Sequence, residues 1–291
     1  MNEMMRRVLF LTYVFLWILH PVWSQAEKDE VIYPVNEATL IGAGSYNLMD
    51  TYLTPGIESC YSGWNLRIMD ERIKRVKLAD YRFIRQQVIS IDGGRTLNGA
   101  GSAIDYGLVL EYNLGYQYQL PSFFPGLKIM TGALGQIMGG AIYNTRNTNN
   151  PVAAKADINL NISAMALYSC KIKNYPITFR YQLVMPFAGV SFSPHYSQSY
   201  YEMFGLGNHS GMVHFNSFHN KFAMKHYITA DFPVGRLIIR AGYLNSRYQT
   251  NMNSITSHMI SNSFIIGFVK EFVAFGSKQM RKTHPYNSTY Y

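Results

Sequence analysis

The sequence predicts an all-β protein, an antiparallel transmembrane β-barrel of about ten strands, with twelve as the alternative count. Three observations predict it. Long stretches alternate strictly between apolar and polar side chains. Aromatic residues (23 Tyr, 17 Phe and 3 Trp) crowd the chain and gather near the ends of those stretches. An export signal precedes them.

The signal comes first. Arg6 and Arg7 supply a positive start, Val8 to Leu19 (VLFLTYVFLWIL) an apolar run, and Val22-Trp23-Ser24 modest residues ahead of a cut near Ser24/Gln25. The run falls short of the roughly 20 residues that span a bilayer as a helix, and no later run reaches that length. No cysteine lies near the cut to carry a lipid anchor. The expected organisation is a signal peptide over 1–24, an N-terminal periplasmic segment over 25–36, a barrel over 37–275, and a polar tail over 276–291 projecting into the periplasm.

Composition narrows the class. Charged residues make up 15%, against about 25% in soluble domains, yet mean hydropathy is only −0.08. That excludes a helical membrane protein and a highly charged soluble one. The formal charge is +9. A basic balance suits anionic lipid or surface phosphates, so outer-membrane lipids and lipopolysaccharide are the expected partners. Nucleic acid is not expected for an exported chain.

Residues 103–118 (AIDYGLVLEYNLGYQY) carry the clearest alternation. Ile104, Tyr106, Leu108, Leu110, Tyr112, Leu114 and Tyr116 share one face, and Asp105, Glu111 and Asn113 the other. The run 155–168 sets Ile158, Leu160 and Ile162 against Lys155, Asp157, Asn159 and Asn161. Residues 177–187 set Phe179, Tyr181 and Leu183 against Arg180 and Gln182. Shorter versions are Trp64/Leu66/Ile68 against Arg67, and Leu237/Ile239 against Arg236/Arg240. Soluble strands average about 5–6 residues, whereas a membrane-crossing strand needs about 9–11. A closed barrel is also the one sheet that satisfies its backbone in hydrocarbon.

The joins set direction. Short ones are expected at 120–126, 171–176 and 231–235, and longer polar ones at 93–102, 145–151, 194–216 and 249–257. Barrels of this kind have short periplasmic turns and longer outer loops, so both ends of the chain are expected in the periplasm. The charged segment 70–80 (DERIKRVKLAD) reads as a turn or short helix. Cys60 and Cys170 fall at opposite rims, too far apart for the roughly 7 Å that a disulfide allows.

The last strand, FIIGFVKEFVAF, resembles the aromatic terminal strand of exported barrels. Together with YNLMDTYLTPG (46–56) and SYYEMFGLGN (199–208), it is similar to a Bacteroidota family of outer-membrane barrels, domain of unknown function 3316. That resemblance implies a membrane barrel without an assigned activity and contributes no catalytic residues.

In HYSQSYYE (195–202), His195, Tyr196 and Ser197 resemble the His-x-Ser pair of outer-membrane phospholipase A and the lipid A deacylases. The resemblance implies His195 as base and Ser197 as nucleophile, oriented by Glu202, Asn208, Asn216 or Asn220. The sequence departs from the phospholipase pattern at Gln198-Ser199, where Asn-Gly would follow. Counting alternate residues from Phe187 puts His195 and Ser197 on the lipid side, unless a bulge at Pro186 flips the count. Polar residues at a barrel's rim are the competing reading.

The expected lumen side chains are Asp105, Glu111, Lys155, Asp157, Asn159, Asn161, Arg180, Gln182, Arg236 and Arg240, packed as an ion-paired plug. His209, His214, His219 and His226 do not converge at ligand spacing, so no metal and no cofactor is expected. The resulting function is an outer-membrane barrel with a structural, binding or small-solute transport role, a serine-dependent lipid hydrolase being the alternative.

Overall fold

A computed structural model describes residues 33–54, 60–173, 175–196, 198–234, 237–272, 288, 290 and 291. The signal segment lies outside them, as do Ser197 and Arg236. The strands are β1 (Val35–Asp50), β2 (Tyr61–Val76), β3 (Phe83–Leu97), β4 (Ile104–Gln119), β5 (Leu127–Asn144), β6 (Val152–Ile172), β7 (Tyr175–Phe192), β8 (Val213–Asn216), β9 (Lys221–Val234), β10 (Leu237–Met252) and β11 (Ile255–Phe272). All pairings are antiparallel, β1 joins β11, and β7 joins both β6 and β9. Ten strands therefore close into a ring, and short β8 continues the line of β9 along the same edge of β7, above a break at 217–220. Among the described residues no helix is long and apolar enough to cross a membrane.

Strand register fixes the barrel's dimensions. Tracing paired residues round the ring from Val152 of β6, through Ser45 of β1 and Leu183 of β7, returns to β6 at Ala164, twelve residues along. With strands about 4.8 Å apart and rising about 3.3 Å per residue, that stagger tilts them about 40° and gives a backbone radius of about 10 Å. Such a tilt is the usual one for barrels that cross a membrane.

The two faces are inverted relative to a soluble protein. Along β6, Ile158 and Leu160 are 58% and 50% exposed, while Asp157, Asn159 and Asn161 between and beside them are at most 4% exposed. Phe264, Ile266 and Phe268 repeat the outward apolar row on β11. The ten residue steps from Ala156 to Ala166, at that tilt, project roughly 25 Å onto the axis, the height of a barrel's apolar band. An apolar belt this large is a membrane surface, not a water surface.

The belt has polar interruptions, and their groups bond to one another. On the outward face of β10, β11 and β1, Asn245 donates to Asn262 at 2.6 Å, Tyr243 donates to Asn262 at 2.8 Å, and Asn262 donates to Ser45 at 3.3 Å. Nearer the chain's tail, Arg72 pairs with Glu37 at 2.6 Å and Thr39 donates to Asp70 at 3.1 Å.

Three sequence expectations fail here. The charged segment 70–80 is not a turn or a helix up to Val76, because β2 continues through it and turns only at 77–82. The join at 249–257 is not long. Asn253 and Ser254, with φ of 52° and 61°, form a two-residue turn of the mirror-image kind that matches strand twist. Of the tail, 276–287 and 289 lie outside the described residues, and at its end Tyr290 does not project away but is fully buried inside the barrel mouth.

Candidate functional site

The lumen holds the protein's concentrated chemistry. It has a tail end, toward 77–82 and 120–126, and a loop end, toward 98–103 and 193–212.

At the tail end Glu71 of β2 faces Arg180 of β7. These strands stand five apart on a ring of ten, diametrically opposite, so the pair spans the lumen. Arg180 donates two hydrogen bonds to Glu71, at 2.5 and 2.7 Å. Arg240 donates to Glu71 at 2.8 Å and forms a two-pronged pair with Asp231, both contacts 2.8 Å. Gln86 completes the carboxylate's partners at 2.7 Å. The four charged side chains are at most 1% exposed. Charges taken so far from water need partners with good geometry, and two acids meet two arginines here.

Higher up, Arg67 pairs with Asp92, and Lys225 with Glu111. Asn65 donates to Asp92 at 2.8 Å and Gln136 to Glu111 at 3.1 Å. Near the loop end Lys155 pairs across the ring with Asp50 at 2.5 Å, and Lys221 with Asp157 at 2.9 Å. Gly94 and Gly107 let the Tyr46 ring lie against the wall, since a Cβ on Gly94 would stand 2.6 Å from it. Cavities between these layers measure about 30 and 50 Å³, room for one or a few waters.

The loop end is capped. Residues 193–196 and 198–212 lie over the mouth, with a single helical turn at Tyr201–Gly205 and Met203 fully buried. Tyr52 donates to the Gln198 carbonyl at 2.7 Å, and the Ala154 amide donates to the Tyr200 hydroxyl at 2.7 Å. Burial, reinforced by Tyr200, Asp50 and Glu202, pushes the Tyr52 phenol up to about 12. In the unfolded chain it ionises near 10, so its contribution is fully present below that pH and is lost as pH rises toward 12. Ultraviolet phenolate titration of wild type should show a step near pH 12 that is missing from Tyr52→Phe. A Tyr52 that titrates near pH 10 would mean that the cap does not bury it.

The structure places each expected lumen residue on an inward-facing position, except Arg236, which lies outside the described residues. Asp105 accepts from Asn144 at 2.6 Å, Asn159 accepts from Lys221 at 3.3 Å, Asn161 donates to Gln136 at 3.3 Å, and Gln182 donates to Ser163 at 2.8 Å. Sequence reading missed Glu71, Asp92, Asp50, Asp231, Lys221 and Lys225. Glu71 was legible by carrying the Arg67 parity two steps further, into the segment read as a turn or short helix. Asp231 was masked by the adjacent Phe-Pro, which resembled a turn.

His195 sits in the cap, not on the lipid face. A bulge at Pro186/Phe187 shifts the pairing with β6 between Leu160 and Asn161. Beyond it Ser191 and Ser193 turn inward, at 2% and 9% exposure. Of the four candidate orienting groups, three have side chains bonded elsewhere. Glu202 and Ser199 bond each other's backbone amides, Asn216 accepts from the Ser191 hydroxyl at 2.7 Å, and Asn220 bonds Phe215 and Ser217. The histidines do not gather either. His226 faces outward against the Tyr181 hydroxyl at 2.9 Å, and His219 stacks on Phe215. Among the described residues no group of three histidine, cysteine or acidic side chains could hold a metal. Cys60 and Cys170 are free thiols.

Among solved structures, the transport unit of the autotransporter AIDA-I from Escherichia coli is similar at 10% identity and a TM-score of 0.46, covering 91% of this chain and 97% of that one. An outer membrane channel from Pseudomonas putida F1 is similar at 9% identity and a TM-score of 0.37, covering 86% and 100%. The translocator domain of the autotransporter NalP from Neisseria meningitidis follows at 9% identity and a TM-score of 0.33, covering 90% and 94%. No curated protein matches the chain. Residues 9–279 match the family described as protein of unknown function (DUF3316), and the chain belongs to that family.

Proposed function

We propose that this is an outer-membrane barrel with a structural or binding role, exercised at its two ends, and that its interior is a fixed charge-paired packing rather than a conduit for solutes. One observation carries the reading. The Glu71–Arg180 pair crosses the full lumen, is fixed by Arg240 and Asp231, and is almost completely shielded from water. Moving an ion past it means breaking bonds between buried charges, a cost of several kcal/mol (about 3–5).

The loop end faces outward from the cell and the tail end faces the periplasm, by the rule that periplasmic turns are short. Outer-membrane lipids and lipopolysaccharide surround the belt, after export and cleavage near Ser24/Gln25. Fractionation with heat-modifiable gel mobility tests the location.

Purified barrel reconstituted in planar bilayers is expected to give no sustained conductance steps. Stable steps would establish a transport role and remove this reading. Acyl release from phospholipid or lipid A, lost on Ser197→Ala, would replace it with the hydrolase.

A further inference from the structure

The tail-end mouth is occupied by a piece of the protein's own chain. The Tyr290 ring lies 4.5 Å from the Arg240 guanidinium and 5.9 Å from that of Arg180. The Tyr291 hydroxyl donates to Asp231 at 2.8 Å. Lys128 donates to the main-chain oxygens of Tyr291 and Tyr290, at 2.9 and 3.4 Å. Ser288 donates to Glu271 at 2.7 Å. Five wall side chains from five different strands thus converge on three residues of the tail.

This segment is an occupant and not part of the wall. Each of the ten ring strands has two neighbours without it, so its removal exposes no sheet edge. Arg180 and Arg240 keep Glu71 and Asp231 as partners, so the vacated lining stays charge-balanced. Beside Tyr291 the described residues border a cavity of about 430 Å³, lined in part by Thr178, Asp231 and Ile238.

We propose that this mouth is a binding site for a short peptide, turned as Ser288 turns the tail by accepting from the Tyr290 and Tyr291 amides, that bears an aromatic residue followed by tyrosine; it is filled in cis by Tyr290-Tyr291 and able to take an equivalent segment in trans. The chemistry sets the order. The first residue presents a ring to two guanidinium groups, and the buried Tyr290 hydroxyl has no hydrogen-bond partner among the described residues, so phenylalanine serves there as well. The second needs its hydroxyl, which Asp231 accepts. The tethered copy has the advantage of effective concentration, so it blocks the site until a competitor of higher affinity or local concentration displaces it. The site lies below the cross-lumen ion pairs, and its occupancy leaves the lumen closed. The inference therefore rests on the closed-lumen reading only for its location, and a conductance result and a binding result can fail separately.

The test uses the full-length chain with Tyr290→Ala and Tyr291→Ala, in detergent, and a fluorescent peptide Asn-Ser-Thr-Tyr-Tyr. Anisotropy is expected to show saturable binding to the variant and little to wild type, whose site is filled. The peptide Asn-Ser-Thr-Phe-Tyr should bind equally, and Asn-Ser-Thr-Tyr-Phe about tenfold more weakly. Lys128→Gln in the variant background should weaken binding severalfold. Equal or absent binding to variant and wild type, with both folded by heat-modifiable mobility, overturns the proposal. So does failure of the double variant to fold, because the segment would then be a strut of the barrel.

Discussion

Glu71→Gln is expected to lower the stability of the folded barrel by about 3 kcal/mol, the low end of the cost of stripping one partner from a buried ion pair. The substitution keeps the shape of the side chain and removes its charge. Arg180, fully buried, then has no carboxylate, and Arg240 keeps only Asp231. A 50 Å³ cavity lined by Glu71 admits a little water and holds the cost below the top of the range. Urea midpoints, followed by heat-modifiable mobility after folding into lipid vesicles, measure it. Pairing the change with Arg180→Met should recover part of the loss, because the orphaned charge goes too. Arg82→Gln, in the exposed 77–82 turn, is the reference and should shift stability by no more than about 0.5 kcal/mol. A Glu71→Gln barrel as stable as wild type would mean that the lumen is solvated like an open pore.

Ile162→Arg is expected to cost about 2–4 kcal/mol, and Tyr168→Arg about 0–1 kcal/mol. Both residues point outward from β6 and both are exposed, at 44% and 48%. In a water-soluble barrel the two changes would be equally mild. In a bilayer they differ in depth, because Ile162 lies midway between Ala156 and Tyr168 while Tyr168 stands at the tail-end rim. An arginine at the midplane must reach water or drag water inward, and one at the rim already meets it. The same urea titration in vesicles separates the cases. Equal midpoints would deny the apolar belt its membrane, and the proposed compartment would go with it.

Much of this was legible because alternation is a local property. In β4 and β6 each side chain's face follows from its neighbour's, and the period-two pattern is readable without knowing what lies opposite. The same logic failed where a local irregularity entered. At Pro186/Phe187 one extra residue reversed the parity, the bulge that Pro186 left open in the sequence, so His195 is not on the lipid face that counting from Phe187 gives without it. In 70–76 the density of charge hid a strand, because Glu71 goes inward to two arginines while Asp70 and Arg72 go outward to Thr39 and Glu37. At 249–257 a polar run suggested a loop, but Asn253 and Ser254 both adopt the left-handed conformation and close the hairpin in two residues.

The sequence by itself determined the class of the protein. Strand length, alternation and the shortage of charge require a closed sheet with an oily exterior and a polar interior, since no other sheet satisfies its backbone in hydrocarbon. Only the tertiary structure decided which charges meet. Glu71 and Arg180 are 109 residues apart in sequence, and they face each other because a ten-strand ring with a stagger of twelve puts β2 opposite β7 at that height. It also decided that Tyr290 stands over two arginines. Partner choice across a lumen depends on ring size and shear, which are sums over every pairing in the barrel, and no single stretch of chain carries that information.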